Sequence, residues 1–154
     1  MKTIDRRLFL AGAGGLALWP GAALAVQQPR LVMWKDPNCG CCGAWGQRVE
    51  AAFRERLTVI ASADMAAVKR ARGIPQDLWS CHTAMIHGVI VEGHVPPADI
   101  QRLVSSGNRQ VAGLAVAGMP AGAPGMDVGH SIREPYQVIA FGQGGRRSVF
   151  ASHR

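Results

Sequence analysis

Three cysteines fall within four residues, Cys39-Gly40-Cys41-Cys42, between an apolar run and a segment with helical periodicity. Upstream, Leu31-Val32-Met33-Trp34 reads as a strand that stops at the turn formers Asp36-Pro37-Asn38. Downstream, Trp45, Val49, Ala52 and Phe53 recur at spacings of four, three and one, which predicts one apolar helix face from about residue 42 to 56. The cluster is therefore expected at a helix N-terminus, where the helix dipole and free amides favour thiolate over thiol. A strand, a loop and a Cys-X-X-Cys pair opening the first helix is the start of a thioredoxin-like unit.

The rest of the chain extends that pattern. Residues 57–61 read as a second strand, and Asp64 is placed to cap a short helix that stops at Gly73-Ile74-Pro75. Residues 83–92, rich in Ile and Val, read as a third strand, and a helix is predicted over 97–104 with proline near its first position. Glycine and proline crowd residues 113–129, which predicts one long ordered loop within 107–130, and 136–141 with 147–150 read as a closing hairpin. The expected fold is α/β: a single compact thioredoxin-like domain over residues 26–154, with a central mixed sheet flanked by helices. Thioredoxins place a cis-proline before the third strand, opposite the cysteine pair. Here Cys81-His82-Thr83 stands at that point and would bring a fourth sulfur to face the other three.

The N-terminus reads as a targeting segment. Lys2, Arg6 and Arg7 precede an apolar stretch from Leu8 to Leu24, and Ala23-Leu24-Ala25 supplies the small residues of a cleavage site. Residues 1–25 are expected to be an export signal, twin-arginine-like at Arg6-Arg7, and the protein is expected in the periplasm with no stable membrane insertion after cleavage. The formal charge of +7 falls to about +5 without that segment, and its Lys and Arg are dispersed, without aromatic interleaving, which argues against a nucleic-acid partner.

An exported chain meets an oxidising compartment, so cysteine spacing carries information. Cys39 and Cys42 suit either redox or metal chemistry. Cys41 favours metal, since a dithiol exchanger gains nothing from an adjacent third thiol. Thiolates and thioethers select Cu(I), which makes copper the expected ion. The competing structural reading is two disulfides, such as Cys39 with Cys42 and Cys41 with Cys81. His94, after Glu92-Gly93 at a strand end, is a further candidate ligand. His82 ranks lower because adjacent residues of a strand face opposite ways, and His87 reads as core or surface. Met119 and Met126 lie in a Gly/Pro loop with no helical period, as soft ligands or as loop plugs.

Taken jointly, four segments resemble the CopG-type copper-resistance proteins of bacterial periplasms, a family unrelated to the plasmid repressor of that name. These are Cys39-Gly40-Cys41-Cys42 followed by Trp45, Ser80-Cys81-His82-Thr83-Ala84, Glu92-Gly93-His94-Val95-Pro96, and Gly113-Leu114-Ala115-Val116 through Gly118-Met119-Pro120 and Pro124-Gly125-Met126. Ala117 departs from the proline the family carries before the glycine. The resemblance implies a thioredoxin-like fold and several copper ions bridged by cysteine sulfurs at Cys39, Cys41, Cys42 and Cys81. It also implies a role in converting Cu(I) and Cu(II) during resistance, in company with other periplasmic copper-handling proteins. Two rivals stand beside it: a thiol-disulfide oxidoreductase with Cys39 as nucleophile and Cys42 as resolving thiol, and a passive copper chaperone.

Overall fold

Strand β1, Leu31–Lys35, alternates in the way a strand buried on both faces must: Leu31 and Met33 enter one core while Trp34 faces the other side, stacked under the Arg72 guanidinium. The computed structural model describes residues 29–127, 129 and 131–154. The expected export segment, residues 1–25, and the start of the expected domain at residue 26 lie outside the described residues. Helix α1 spans Cys41–Phe53 and ends where Arg54 turns left-handed (φ 54°). Its Trp45 and Val49 are fully buried, as the periodicity requires. Strand β2, Thr58–Ala61, returns parallel to β1. Helix α2, Met65–Ala71, is capped by Asp64, whose carboxylate accepts the Ala67 amide at 2.8 Å.

Residues 83–92 depart from expectation. They form not one strand but a hairpin, β3 (His82–Ile86) and β4 (Val89–Glu92), antiparallel with Ile86 opposite Val89. His87 and Gly88 both take positive φ (47° and 84°), the mirror-image two-residue turn whose twist suits adjacent strands. Helix α3, Pro97–Ser106, follows, and the expected 107–130 loop is interrupted by a short strand, β5 (Gly113–Ala115), parallel to β4. A three-residue strand that begins on glycine lacks the periodicity that would announce it. Strands β6 (Tyr136–Phe141) and β7 (Arg147–His153) form the expected closing hairpin.

Among the described residues the result is one α/β domain with a seven-stranded mixed sheet in the order β2-β1-β3-β4-β5-β6-β7, as the expectation of a central mixed sheet flanked by helices required. One face of the sheet buries Leu31, Met33, Ala84, Ile86, Val91 and Leu114 against Trp45 and Val49 of α1 and Ile100 and Leu103 of α3. The register places Trp34, Thr83, Glu92 and Ala115 side by side across β1, β3, β4 and β5, so they share the other face, toward α2. The loop between β1 and α1 thus opens beside the start of β3, and Cys39, Cys41 and Cys42 meet Cys81 there.

Candidate metal centre

The β1–α1 loop is held by its own polar groups. Asp36 accepts the Asn38 amide on its side chain (2.8 Å) and the Cys39 amide on its carbonyl (3.0 Å). The Lys35 ammonium donates to the carbonyls of Asp36, Pro37 and Cys39 at 2.9, 3.3 and 3.0 Å and so ties the turn from beneath. Gly40 caps α1 with no side-chain bond, and no acidic residue occupies the first turn. The free amide end of the helix therefore faces the sulfurs of Cys39, Cys41 and Cys42 without a competing carboxylate.

Those three sulfurs and Cys81 lie within 4.8 Å of one another. Cys39 and Cys42 are joined as a disulfide, Cys41 and Cys81 are free thiols, and Cys41 Sγ sits 3.5 Å from Cys39 Sγ. The two-disulfide arrangement is thus half present, in the Cys39–Cys42 bond alone. A metal–sulfur bond of about 2.3 Å lets sulfurs at this separation share one ion or bridge several.

Two imidazoles complete the cluster. Cys81 Sγ lies 3.1 Å from His94 Nε2 and 3.3 Å from His82 Nδ1, and Cys81, His82 and His94 offer atoms within 4.8 Å of one another. His94 Nδ1 donates to the Pro124 carbonyl at 2.8 Å, because a carbonyl can only accept. That bond fixes the tautomer and leaves the Nε2 lone pair facing Cys81, the orientation a metal-ligating histidine needs. His82 is fully buried against the Trp45 ring, 4.3 Å between centroids, and its Nε2 has no hydrogen-bond partner among the described residues. The alternation argument against His82 fails for a local reason: Cys81 lies just before β3, outside the pleat, so both side chains reach the same cluster. His87, in the β3–β4 turn, is half-buried, stacked on Phe53 and paired with Glu55 at 3.0 Å.

Burial governs the electrostatics. The Cys81 thiol is pushed up to about 12, chiefly by burial and then by the neighbouring Cys41, against a weaker pull from the Ser80 hydroxyl. Burial holds His82 well below the ordinary histidine range, with His94 and Lys69 adding to the effect. Burial also lowers His94, opposed by the Pro124 carbonyl and by Asp127. Both rings are neutral at pH 7 and carry lone pairs.

Of the sequence-derived candidates, the structure brings together Cys39, Cys41, Cys42, Cys81 and His94. Met119 is 55% exposed on its loop, and Met126 is half-buried two residues past the carbonyl that holds His94. The loop is tied to α1 by a bidentate Arg48–Asp127 pair at 2.9 and 2.7 Å. The sequence ranked His82 below His94 and gave no role to Lys35, Pro124 or the buried Lys69–Glu92 pair. The one available signal was Glu92, a carboxylate closing an otherwise apolar strand.

A four-sulfur cluster flanked by neutral imidazoles, at the first helix of an α/β domain, defines a thiol-rich metal-binding protein. The chain belongs to the CopG family of copper resistance proteins. Two solved structures carry the relationship. "Copper resistance protein copG, Form 2" is 41% identical over 83% of this chain and 100% of its own, with a TM-score of 0.75. "Copper resistance protein copG, Form 1" is 42% identical over 82% of this chain and 98% of its own, with a TM-score of 0.74. The family model described as a protein of unknown function, DUF411, matches residues 78–126. No curated protein sequence matches.

Proposed function

We propose that the chain is a periplasmic copper-resistance protein whose reduced cysteines, Cys39, Cys41, Cys42 and Cys81, hold Cu(I) as cargo. The observation that carries this reading is the convergence of four sulfurs within 4.8 Å in a chain related to copper resistance proteins. Soft thiolates favour Cu(I), and the imidazoles of His94 and His82 accept either oxidation state. A mixed sulfur–nitrogen set with more than one copper is therefore suited to interconverting Cu(I) and Cu(II). Met119 and Met126 are further thioether ligands in this reading, on a loop that closes over the cluster through Pro124. Other periplasmic copper-handling proteins are the partners that would deliver and accept the ion.

The test is copper retention by the reduced full chain loaded anaerobically with Cu(I) and desalted, against a variant with all four cysteines changed to serine. More than one copper per chain, lost in the variant, is expected; no retention by the wild type would overturn the reading. Tight Cu(I) retention without accelerated copper oxidation or reduction would reduce the role to that of a carrier.

A second reading rests on the Cys39–Cys42 disulfide at the helix N-terminus. Cys39 is partly exposed and Cys42 fully buried, the asymmetry of an attacking and a resolving thiol. An exchanger of this kind reduces insulin and keeps that activity in Cys41→Ser and Cys81→Ser. The copper reading expects those two variants to lose Cu(I) instead.

A further inference from the structure

On the far side of the sheet from the imidazoles lies a charged group that metal binding does not use. Lys69 of α2 is 3% exposed, and Glu92 and Thr83 are fully buried. The Lys69 ammonium donates to Glu92 Oε1 at 2.5 Å and to Thr83 Oγ1 at 3.1 Å, and Thr83 donates to Glu92 Oε2 at 2.6 Å. A buried ion pair is weak support for stability, since apolar replacements of like volume are often neutral or better. Its bonds show a more specific use. Glu92 Oε1 also accepts the Ser80 amide at 2.6 Å, so one carboxylate grips the segment Ser80-Cys81-His82-Thr83 at both ends.

Within that segment His82 and Thr83 are also held by the β3 ladder, whereas Ser80 and Cys81 are not. Cys81 precedes β3 and lies outside its ladder, while the Ser80 hydroxyl bonds the Gly118 carbonyl of the loop. We infer that Glu92 is a positioning residue for Cys81: anchored by Lys69 and Thr83, it fixes the Ser80 amide and thereby aims the Cys81 sulfur at the cluster. Its bearing on copper rests on the ligand role proposed for Cys81, but the positioning itself is tested without metal.

Two variants of the full chain separate the parts. Lys69→Met with Glu92→Gln removes the charges and keeps an acceptor for Ser80; Lys69→Met with Glu92→Leu removes the acceptor as well. In reduced, copper-free protein the Leu variant is expected to raise the alkylation rate of Cys81 by about tenfold or more relative to the Gln variant, the scale set by losing a strong hydrogen bond. Equal rates in the two folded variants would overturn the inference. In the wild type the Ser80 amide is expected to exchange with solvent as slowly as the β3–β4 amides. Fast exchange there would overturn it too, whether or not the variants fold. On loading with Cu(I), X-ray absorption is expected to report fewer sulfur neighbours per copper in the Leu variant than in the Gln variant, and an unchanged count would count against the inference. A wild type that retains no copper would defeat the functional reading and leave the alkylation and exchange results to decide this one.

Discussion

At the scale of single residues, Cys81 and Gly93 set the geometry of the cluster. Cys81 faces a neutral His94 Nε2, and with its thiol pushed up to about 12 it stays protonated at neutral pH. Thiolate is the nucleophile, so alkylation of Cys81 in reduced, copper-free protein is expected to be slow at pH 8 and to rise about tenfold per pH unit well past pH 9. An ordinary cysteine instead levels off above about 8.5. Rates read by mass spectrometry from pH 7 to 10 decide between the two, and a plateau near 9 would mean that burial does not control this thiol. Gly93 separates Glu92 from His94 and has φ +71°; an added Cβ would meet the Val116 carbonyl at 2.5 Å and the Ser80 side chain at 2.6 Å. Gly93→Ala is expected to destabilise the domain by on the order of 2 kcal/mol, through backbone strain and the forced separation of Ser80 from β4. Urea unfolding measures this, and a change of a few tenths would show that the turn relaxes freely.

Elements bring these residues together, and the tie between α1 and the loop of residues 118–127 is a salt bridge. Arg48 holds Asp127 below the usual carboxylate range, mainly by hydrogen bonding. A carboxylate depressed in the folded state contributes stability that is present above its unfolded value and lost as pH falls through its folded value. With Arg48 42% exposed, that contribution is at most about 1 kcal/mol. Asp127→Asn is therefore expected to leave the melting temperature nearly unchanged at pH 7. It should speed hydrogen exchange at Gly125, whose amide Asp127 also accepts, and the wild-type loop should loosen in the same way only below about pH 4. Unchanged exchange in the variant would show that the loop's other ties, the His94–Pro124 and Ser80–Gly118 bonds among them, hold it without the salt bridge. The sequence made α1 legible because its apolar face repeats at Trp45 and Val49, and α3 because Pro97 stands at its first position. It hid the β3–β4 hairpin because His87-Gly88 interrupts an apolar run without the Asn or Asp that usually signals such a turn. The Cys39-Gly40-Cys41-Cys42 cluster was readable from spacing, whereas Cys81 came from its place before the third strand and His94 from its place at a strand end. His82 was not legible, since a period of two holds only inside a strand and the strand boundary falls between Cys81 and His82. The Lys69–Glu92 pair depends on cross-strand register and helix placement, which no local pattern encodes.

For the whole molecule, the sulfur cluster has two redox states that exclude one another. The Cys39–Cys42 disulfide occupies two of the four sulfurs, so a chain in that state presents Cys41, Cys81 and the imidazoles, whereas reduction frees all four sulfurs. An ion bound to the folded chain stabilises it in proportion to the logarithm of its free concentration over Kd, about 2.7 kcal/mol at a hundredfold excess. In a domain of this size that corresponds to a rise in melting temperature of roughly 5–10 °C, less whatever thiols of the unfolded chain take up. The reduced full chain in buffered Cu(I), under anaerobic conditions, is therefore expected to melt higher than its copper-free form. The chain with Cys39 and Cys42 paired is expected to gain much less, because its remaining sulfur ligands are Cys41 and Cys81, one of which gives up its proton only at a cost. Equal shifts in the two redox forms would mean that Cys39 and Cys42 contribute nothing to the bound state. The imidazoles and the two free thiols would then be the whole site, and the disulfide a structural bond rather than a gate on copper.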